Sequence, residues 1–198
     1  MPISAELVNR LRQETGAGVM DCKRSLEETK GDYEKAREVI RKKGLESAAG
    51  KAGKATKAGR VGVYVHGGGV GAAMVELSCE TDFVAKNEEF QDLLKELSMA
   101  VYGFSPAALA KEDLPAEIVE EEKKKYEGDI KGKPPEIAAK IIEGKLEKNL
   151  YSQRCLLHMA FPKEEKFKGT YGDFIKSKIA VLKENIVVRR FCRMEACK

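Results

Sequence analysis

The residues with the most chemical capacity in this chain are few and scattered. Two histidines, His66 and His158, and five cysteines, Cys22, Cys79, Cys155, Cys192 and Cys197, are the available soft ligands and nucleophiles. A zinc site needs closely spaced Cys or His pairs, because four donors must converge on a tetrahedron. Cys155 and His158 make one such pair, with no second to complete it. A Cys–His nucleophile also needs a third group to orient the base, and the spacing supplies none. Cys22, Cys79 and Cys155 therefore read as small core fillers, while Cys192 and Cys197 flank a terminal strand, where a contact between subunits is one use for them. An odd number of thiols at irregular spacing argues against a disulfide framework and for a reducing cytosol. Gly67-Gly68-Gly69-Val70-Gly71 joins two strands instead of feeding a helix N-terminus, so it reads as a hairpin turn, not a dinucleotide loop. Gly50-Lys51 and Gly53-Lys54 are fragments of a phosphate loop without its Ser or Thr or its preceding strand. The chain is expected to be no enzyme, to hold no metal or cofactor, and to bind no nucleotide directly.

What remains is chemistry of contact. Thr81-Asp82-Phe83-Val84 lies just beyond a strand end, at a sharp exit from a sheet. Phe83 can project there as a rigid apolar wedge with Asp82 as a local negative charge. Alternatively, Phe83 packs inward and Asp82 caps the turn or the following helix. The residues alone favour the inward placement, since most lone aromatics are core. Lys42, Lys43, Lys51, Lys54, Lys57 and Arg60 lie close together, which suits an RNA- or ribosome-binding module, but no aromatic interleaves them as a stacking platform. A solvated linker is the simpler reading of that run.

The elements that would position these groups follow from periodicity. Ser4 is an N-cap candidate before Leu7, Val8 and Leu11; Asp21 can cap a second helix bearing Cys22 and Leu26; a third carries Tyr33, Ala36, Val39 and Ile40, with Gly44 as its expected stop. An Ala/Gly/Lys stretch follows, partly helical through its alanines. The period then changes to two: Val61, Val63 and Val65 alternate with Gly62, Tyr64 and His66, and Ala73, Val75, Leu77 and Cys79 with Met74, Glu76 and Ser78. Phe90, Leu93, Leu94, Leu97 and Val101 mark an amphipathic helix, and helices are expected near Pro115, from Pro135 to Leu146, and from Tyr171 to Leu182, before a strand from Ile186 to Met194. The fold class is α+β: an N-terminal three-helix bundle (1–45), a linker (46–59), and a core (60–198) with a small antiparallel sheet covered by helices.

The bulk numbers agree. The chain has 198 residues, 34% charged, with Lys and Arg numbering 36 against 32 Asp and Glu, for a net charge of +4. That density of nearly balanced charge excludes a cationic nucleic-acid coat and an acidic disordered tail. No apolar run is long enough for a membrane span. Met1-Pro2-Ile3-Ser4-Ala5-Glu6 has neither the basic nor the apolar region of a secretory signal, so a cytoplasmic protein is expected.

Two segments have a distinctive wording: Thr15-Gly16-Ala17-Gly18-Val19-Met20-Asp21-Cys22-Lys23 and Cys79-Glu80-Thr81-Asp82-Phe83-Val84. Together they resemble the translation elongation factor Ts family, whose signatures read T-G-A-G-[VM]-M-D-C-K and C-[EQ]-T-D-F-V. Lys133-Pro134-Pro135-Glu136-Ile137, Lys140 to Leu146 and Arg190-Phe191-Cys192-Arg193-Met194-Glu195 are similar to further family stretches, so the resemblance covers nearly the whole chain in a short form with one core subdomain. It implies guanine-nucleotide exchange on elongation factor Tu, in its GDP-bound and nucleotide-free states. It also implies that Thr81, Asp82, Phe83 and Val84 displace Mg²⁺ from the GTPase, which reverses the preference for an inward Phe83. The first module resembles a ubiquitin-associated bundle gripping the GTPase through Arg12, Val19, Met20 and Lys23. Helix geometry by itself leaves open whether Val19 and Met20 merely close that bundle. A homodimer joined through the core sheets is implied as well. The chain departs from the family at Asn9, commonly basic, at Ala100, commonly His or Gln, and in the L-L-x-Q-P-F stretch, which reads Leu156-Leu157-His158-Met159-Ala160-Phe161 with Met159 and Ala160 for the Gln and Pro.

Overall fold

A computed structural model describes residues 3–164 and 167–196. The chain folds as two compact units, one of Met1–Val61, Glu76–Leu94 and Asp173–Arg189, the other of Gly62–Val75, Lys95–Gly172 and Arg190–Lys198. Cys197 lies outside the described residues, as do Met1 and Pro2.

In the first unit, α1 (Ala5–Thr15), α2 (Val19–Glu28) and α3 (Tyr33–Ala49) form a three-helix bundle. The Ser4 hydroxyl accepts from the Leu7 N–H and caps α1, which stops at Gly16 in the left-handed region (φ 65°). Asp21 does not cap α2 as its position suggested. The helix starts three residues earlier with Gly18 at the cap, and Asp21 sits in the first turn, where its charge still meets the positive end of the helix dipole. Asp32 caps α3 through the Lys35 N–H. That helix passes through Gly44, the expected stop, and ends at Ala49, because alanine-rich sequence sustains a helix past one glycine. Val8, Leu11, Cys22, Leu26 and Ala36 form the bundle core, with Ile3, Leu7, Ala17, Tyr33 and Ile40 around them. Each fully buried leucine contributes about 2 kcal/mol by removal of apolar surface from water.

Three strands, β1 (Ala58–His66), β2 (Gly71–Cys79) and β3 (Ile186–Glu195), make one antiparallel sheet in the order β1-β2-β3. Gly67, Gly68 and Gly69 all have positive φ in the β1–β2 turn, and the Gly69 N–H donates to His66 O at 3.0 Å. Ala73, Val75, Leu77 and Cys79 are buried, as the alternation of β2 requires. On β1 the apolar alternates Val61, Val63 and Val65 are instead the exposed ones.

A single helical turn, α4 (Asp82–Ala85), follows β2, and α5 (Glu88–Phe104) buries Phe90, Leu93, Leu97 and Val101. The second unit continues through α6 (Ala116–Lys124), α7 (Glu127–Ile130), α8 (Pro135–Leu146), a π-helical stretch (Glu147–Tyr151) and α9 (Ser152–Arg154). Leu114, Leu146, Leu150, Tyr151 and Cys155 pack there with Ile118, Val119 and Ile142. The last helix, α10 (Tyr171–Leu182), leads through a tight turn into β3.

Candidate functional site

Phe83 is 80% exposed, the most exposed of the large hydrophobic side chains among the described residues. It stands in the first turn of α4, and the inward placement that the residues alone favoured is therefore not adopted. Nor is Asp82 the cap. Thr81 takes that position, in extended conformation, with its hydroxyl accepting from the Val84 N–H. Asp82 is left facing solvent, where Lys86 one turn on donates to it at 2.8 Å. That hydrogen bond and charge hold the Asp82 carboxyl below the ordinary carboxylate range, so the negative charge beside Phe83 persists through neutral pH. Val84 is half-buried and Ala85 buried, so α4 rests on Ala85 and presents Asp82 and Phe83 outward.

Thr81 is tied down by a residue far away in sequence. Glu184 accepts the Thr81 backbone N–H at 3.0 Å and its hydroxyl at 2.6 Å. Beside it, the Asn185 N–H donates to Glu80 at 2.7 Å, and the Asn185 side-chain amide donates to Lys54 O at 2.8 Å. The Asn185 N–H keeps the Glu80 carboxyl low. Neither Glu184 nor Asn185 stands out in the sequence, because the pairing spans more than a hundred positions and has no local signature. Lys86 did have one, the i,i+4 spacing from Asp82.

In the bundle, Val19 is 44% and Met20 66% exposed at the start of α2. Both side chains of this apolar pair therefore lie outside the bundle core. Arg12 and Lys23 are also exposed, and Lys23 lies 3.9 Å from Glu27. The lysine run is less free than its composition suggested: Lys43 pairs with Glu28 and Lys54 with Glu80. The stretch read as a linker is also anchored, since Thr56 and Ser78 share a hydroxyl hydrogen bond at 3.0 Å and Arg189 donates to both.

Cys155 and His158, the one close Cys–His pair, are committed within the fold. Burial pushes the Cys155 thiol up to about 11, and His158 Nδ1 lies 2.7 Å from Glu147. Ala100, where the family commonly carries a polar side chain, is a buried methyl and offers no polar contact. Cys192 is exposed on β3.

Within the second unit, Tyr102 of α5 identifies the inner face of the sheet. It packs on Tyr64 and His66 of β1, Arg193 of β3 lies 4.8 Å above its ring, and a Cβ on Gly71 of β2 would meet it at 2.6 Å. Alternation then places Val63, Val65, Met74, Cys192 and Met194 on the opposite face. All five are exposed.

Comparison with known proteins is consistent throughout. The family described as Elongation factor TS matches residues 26–170, a span that includes Thr81 to Val84 but begins after Lys23. An elongation factor Ts of Coprothermobacter proteolyticus is 48% identical over 195 residues, covering 98% of both chains. Those of Thermodesulfovibrio yellowstonii and Thermotoga neapolitana are 46% and 45% identical, covering 98% of this chain and 96% and 98% of their own. With a family match across most of its length and relatives of this identity end to end, the chain belongs to the elongation factor Ts family.

Proposed function

We propose that this protein is a guanine-nucleotide exchange factor for elongation factor Tu, acting in translation elongation in the cytoplasm without covalent chemistry. The observation that carries the reading is the outward Phe83 on α4, with the Asp82 charge beside it. A large aromatic left in water costs solvation free energy that burial against a partner recovers. In the proposed complex Phe83 inserts between elements of the GTPase, and the segment Thr81–Val84 disturbs the Mg²⁺ that helps hold GDP. Binding of the factor and of Mg²⁺·GDP then oppose each other by the same coupling free energy in both directions, so GDP leaves faster and GTP later displaces the factor. Arg12, Val19, Met20 and Lys23 supply the second hold: an apolar pair flanked by cations, with the composition of an interface centre and rim.

The outward sheet face with Val63, Val65, Met74 and Met194 supports a homodimer through the core sheets, since apolar side chains on an uncovered sheet call for a partner surface. The 1–45 bundle is the gripping domain on this reading, and the 60–198 core carries both exchange and dimerisation.

The test is release of fluorescent GDP from elongation factor Tu with catalytic amounts of this protein. Wild type is expected to accelerate release, and Phe83→Ala to abolish most of the acceleration, by about a hundredfold if the wedge supplies some 3 kcal/mol of coupling. No acceleration by wild type removes the exchange function. Full acceleration by Phe83→Ala keeps the function and removes the wedge.

A further inference from the structure

An exposed side chain on one helical turn has to be positioned from behind. α4 has four residues, fewer than a helix needs to persist alone, and Phe83 is too exposed to be held by packing. The fixed point is Thr81, and every polar backbone and side-chain atom of that residue is engaged. Its N–H and hydroxyl both donate to Glu184. With the hydroxyl hydrogen so directed, the oxygen accepts from the Val84 N–H and caps the turn. Its carbonyl accepts from the Ala85 N–H at 3.2 Å and from the Cys79 thiol at 3.1 Å. Burial pushes the Cys79 thiol up, so it remains a protonated donor at neutral pH.

The partner carboxylate is itself placed by backbone geometry. Lys183, between α10 and Glu184, adopts φ 61°, a left-handed conformation unusual for a side chain of this size. Its N–H donates to Ile179 O at 2.9 Å and closes α10, and the reversal turns the chain so that Glu184 meets Thr81 while buried Asn185 meets Glu80 and Lys54. Strain of this kind persists where surrounding bonds over-determine it, and it collects at working sites.

We propose that Glu184 is a positioning residue for exchange. Its carboxylate, spanning the Thr81 N–H and hydroxyl, fixes the direction in which α4 presents Phe83 to the GTPase. The proposal rests on the reading of Phe83 as the acting group. Two charge-assisted hydrogen bonds at one residue set distance and angle together, which a single bond does not. Without them α4 samples many directions, and the wedge reaches its target only in a fraction of encounters.

The experiment uses the full-length protein. GDP release from elongation factor Tu is measured against concentration for wild type, Glu184→Gln and Glu184→Ala, each with Phe83 intact and with Phe83→Ala. Amide hydrogen exchange of residues 81–86 is read on the factor alone. Glu184→Ala is expected to lower the saturating release rate on the order of tenfold, as loss of a positioned group does. The half-saturating concentration stays within about twofold, since the bundle contacts are untouched. Glu184→Gln, which keeps one acceptor oxygen and the side-chain volume, falls between. In the Phe83→Ala background neither change at Glu184 lowers the rate further. Amides of residues 81–86 exchange faster in Glu184→Ala while those of β2 do not change. Unchanged amide exchange in α4, or an equal loss of rate with and without Phe83, overturns the proposal. If wild type itself speeds no GDP release, the exchange reading fails, and the amide data decide the positioning role: faster exchange confined to 81–86 upholds it, and unchanged protection ends it.

Discussion

Glu14 sits between two donors of the bundle, the Tyr33 hydroxyl and the Arg37 guanidinium, which approaches to 2.7 Å. The Tyr33 hydrogen bond and then Arg37 hold the Glu14 carboxyl below its ordinary value of 4.5, against the opposing effect of burial. A carboxyl lowered on folding adds stability above its unfolded pKa and loses it as the pH falls through the folded one. Burial and Glu14 push Tyr33 up to about 12, so Tyr33 remains protonated in the folded chain, and that stability fades only above pH 10.0, its ordinary value. Glu14→Gln is expected to cost about 1 kcal/mol at pH 7, since the pair is partly solvated and screened, and to flatten the loss of stability below pH 4.5. Urea unfolding followed between pH 3 and 8 checks both. Ser25 is the opposite case: its hydroxyl is buried in the bundle with no hydrogen-bond partner. Removing an unsatisfied buried group relieves its desolvation, so Ser25→Ala is expected to stabilise the protein by about 1 kcal/mol, read as a raised midpoint in the same titration. At this scale the candidate site was half legible. Thr81 to Val84 stand out in the sequence through their resemblance to a family signature, whereas Glu184 and Asn185 are ordinary residues until the fold brings them to Thr81 and Glu80.

Elements were easier to read than their ends. The helices from Pro135 to Leu146 and from Tyr171 to Leu182 lie where apolar spacing and an N-terminal proline put them. The start of α2 and the end of α3 differ because dipole, alanine content and packing compete with a single capping residue. The π-helical stretch after α8 has no signal in the spacing of apolar residues, since a one-residue bulge rotates the pattern without breaking it. In the sheet, Gly59 of β1 lies hard against the backbone of β2: a Cβ there would fall 2.9 Å from Ser78 Cα and closer still to Leu77 O. Backbone atoms of a paired strand cannot move aside as a flexible side chain can. Gly59→Ala is accordingly expected to cost about 2 kcal/mol or more, measured by thermal unfolding, with Gly144→Ala, in open space and without a positive φ, as the comparison.

The sheet face bearing Val63, Val65, Met74 and Met194 has its consequence for the whole molecule. If it joins two copies of the chain, Met74→Glu places a charge in the centre of that contact and is expected to yield monomers at concentrations where wild type is dimeric, seen by light scattering at an unchanged circular dichroism spectrum. A wild type that is monomeric at every concentration, or a dimeric Met74→Glu, would remove this interface. Composition, period and motif together determined the α+β class, the order of helices and strands, and the family, because local propensity and hydrophobic spacing are written into neighbouring residues. Alternation says that Val61, Val63 and Val65 share a face, yet not which face is covered. That depended on Tyr102 packing against Tyr64, His66 and Arg193 from the other side. Residue types alone favour an inward Phe83 and the family resemblance an outward one, and the side chain is exposed. Only the tertiary structure decided, because the direction of α4 is set by a carboxylate more than a hundred residues away, and long-range pairing leaves no trace in local spacing.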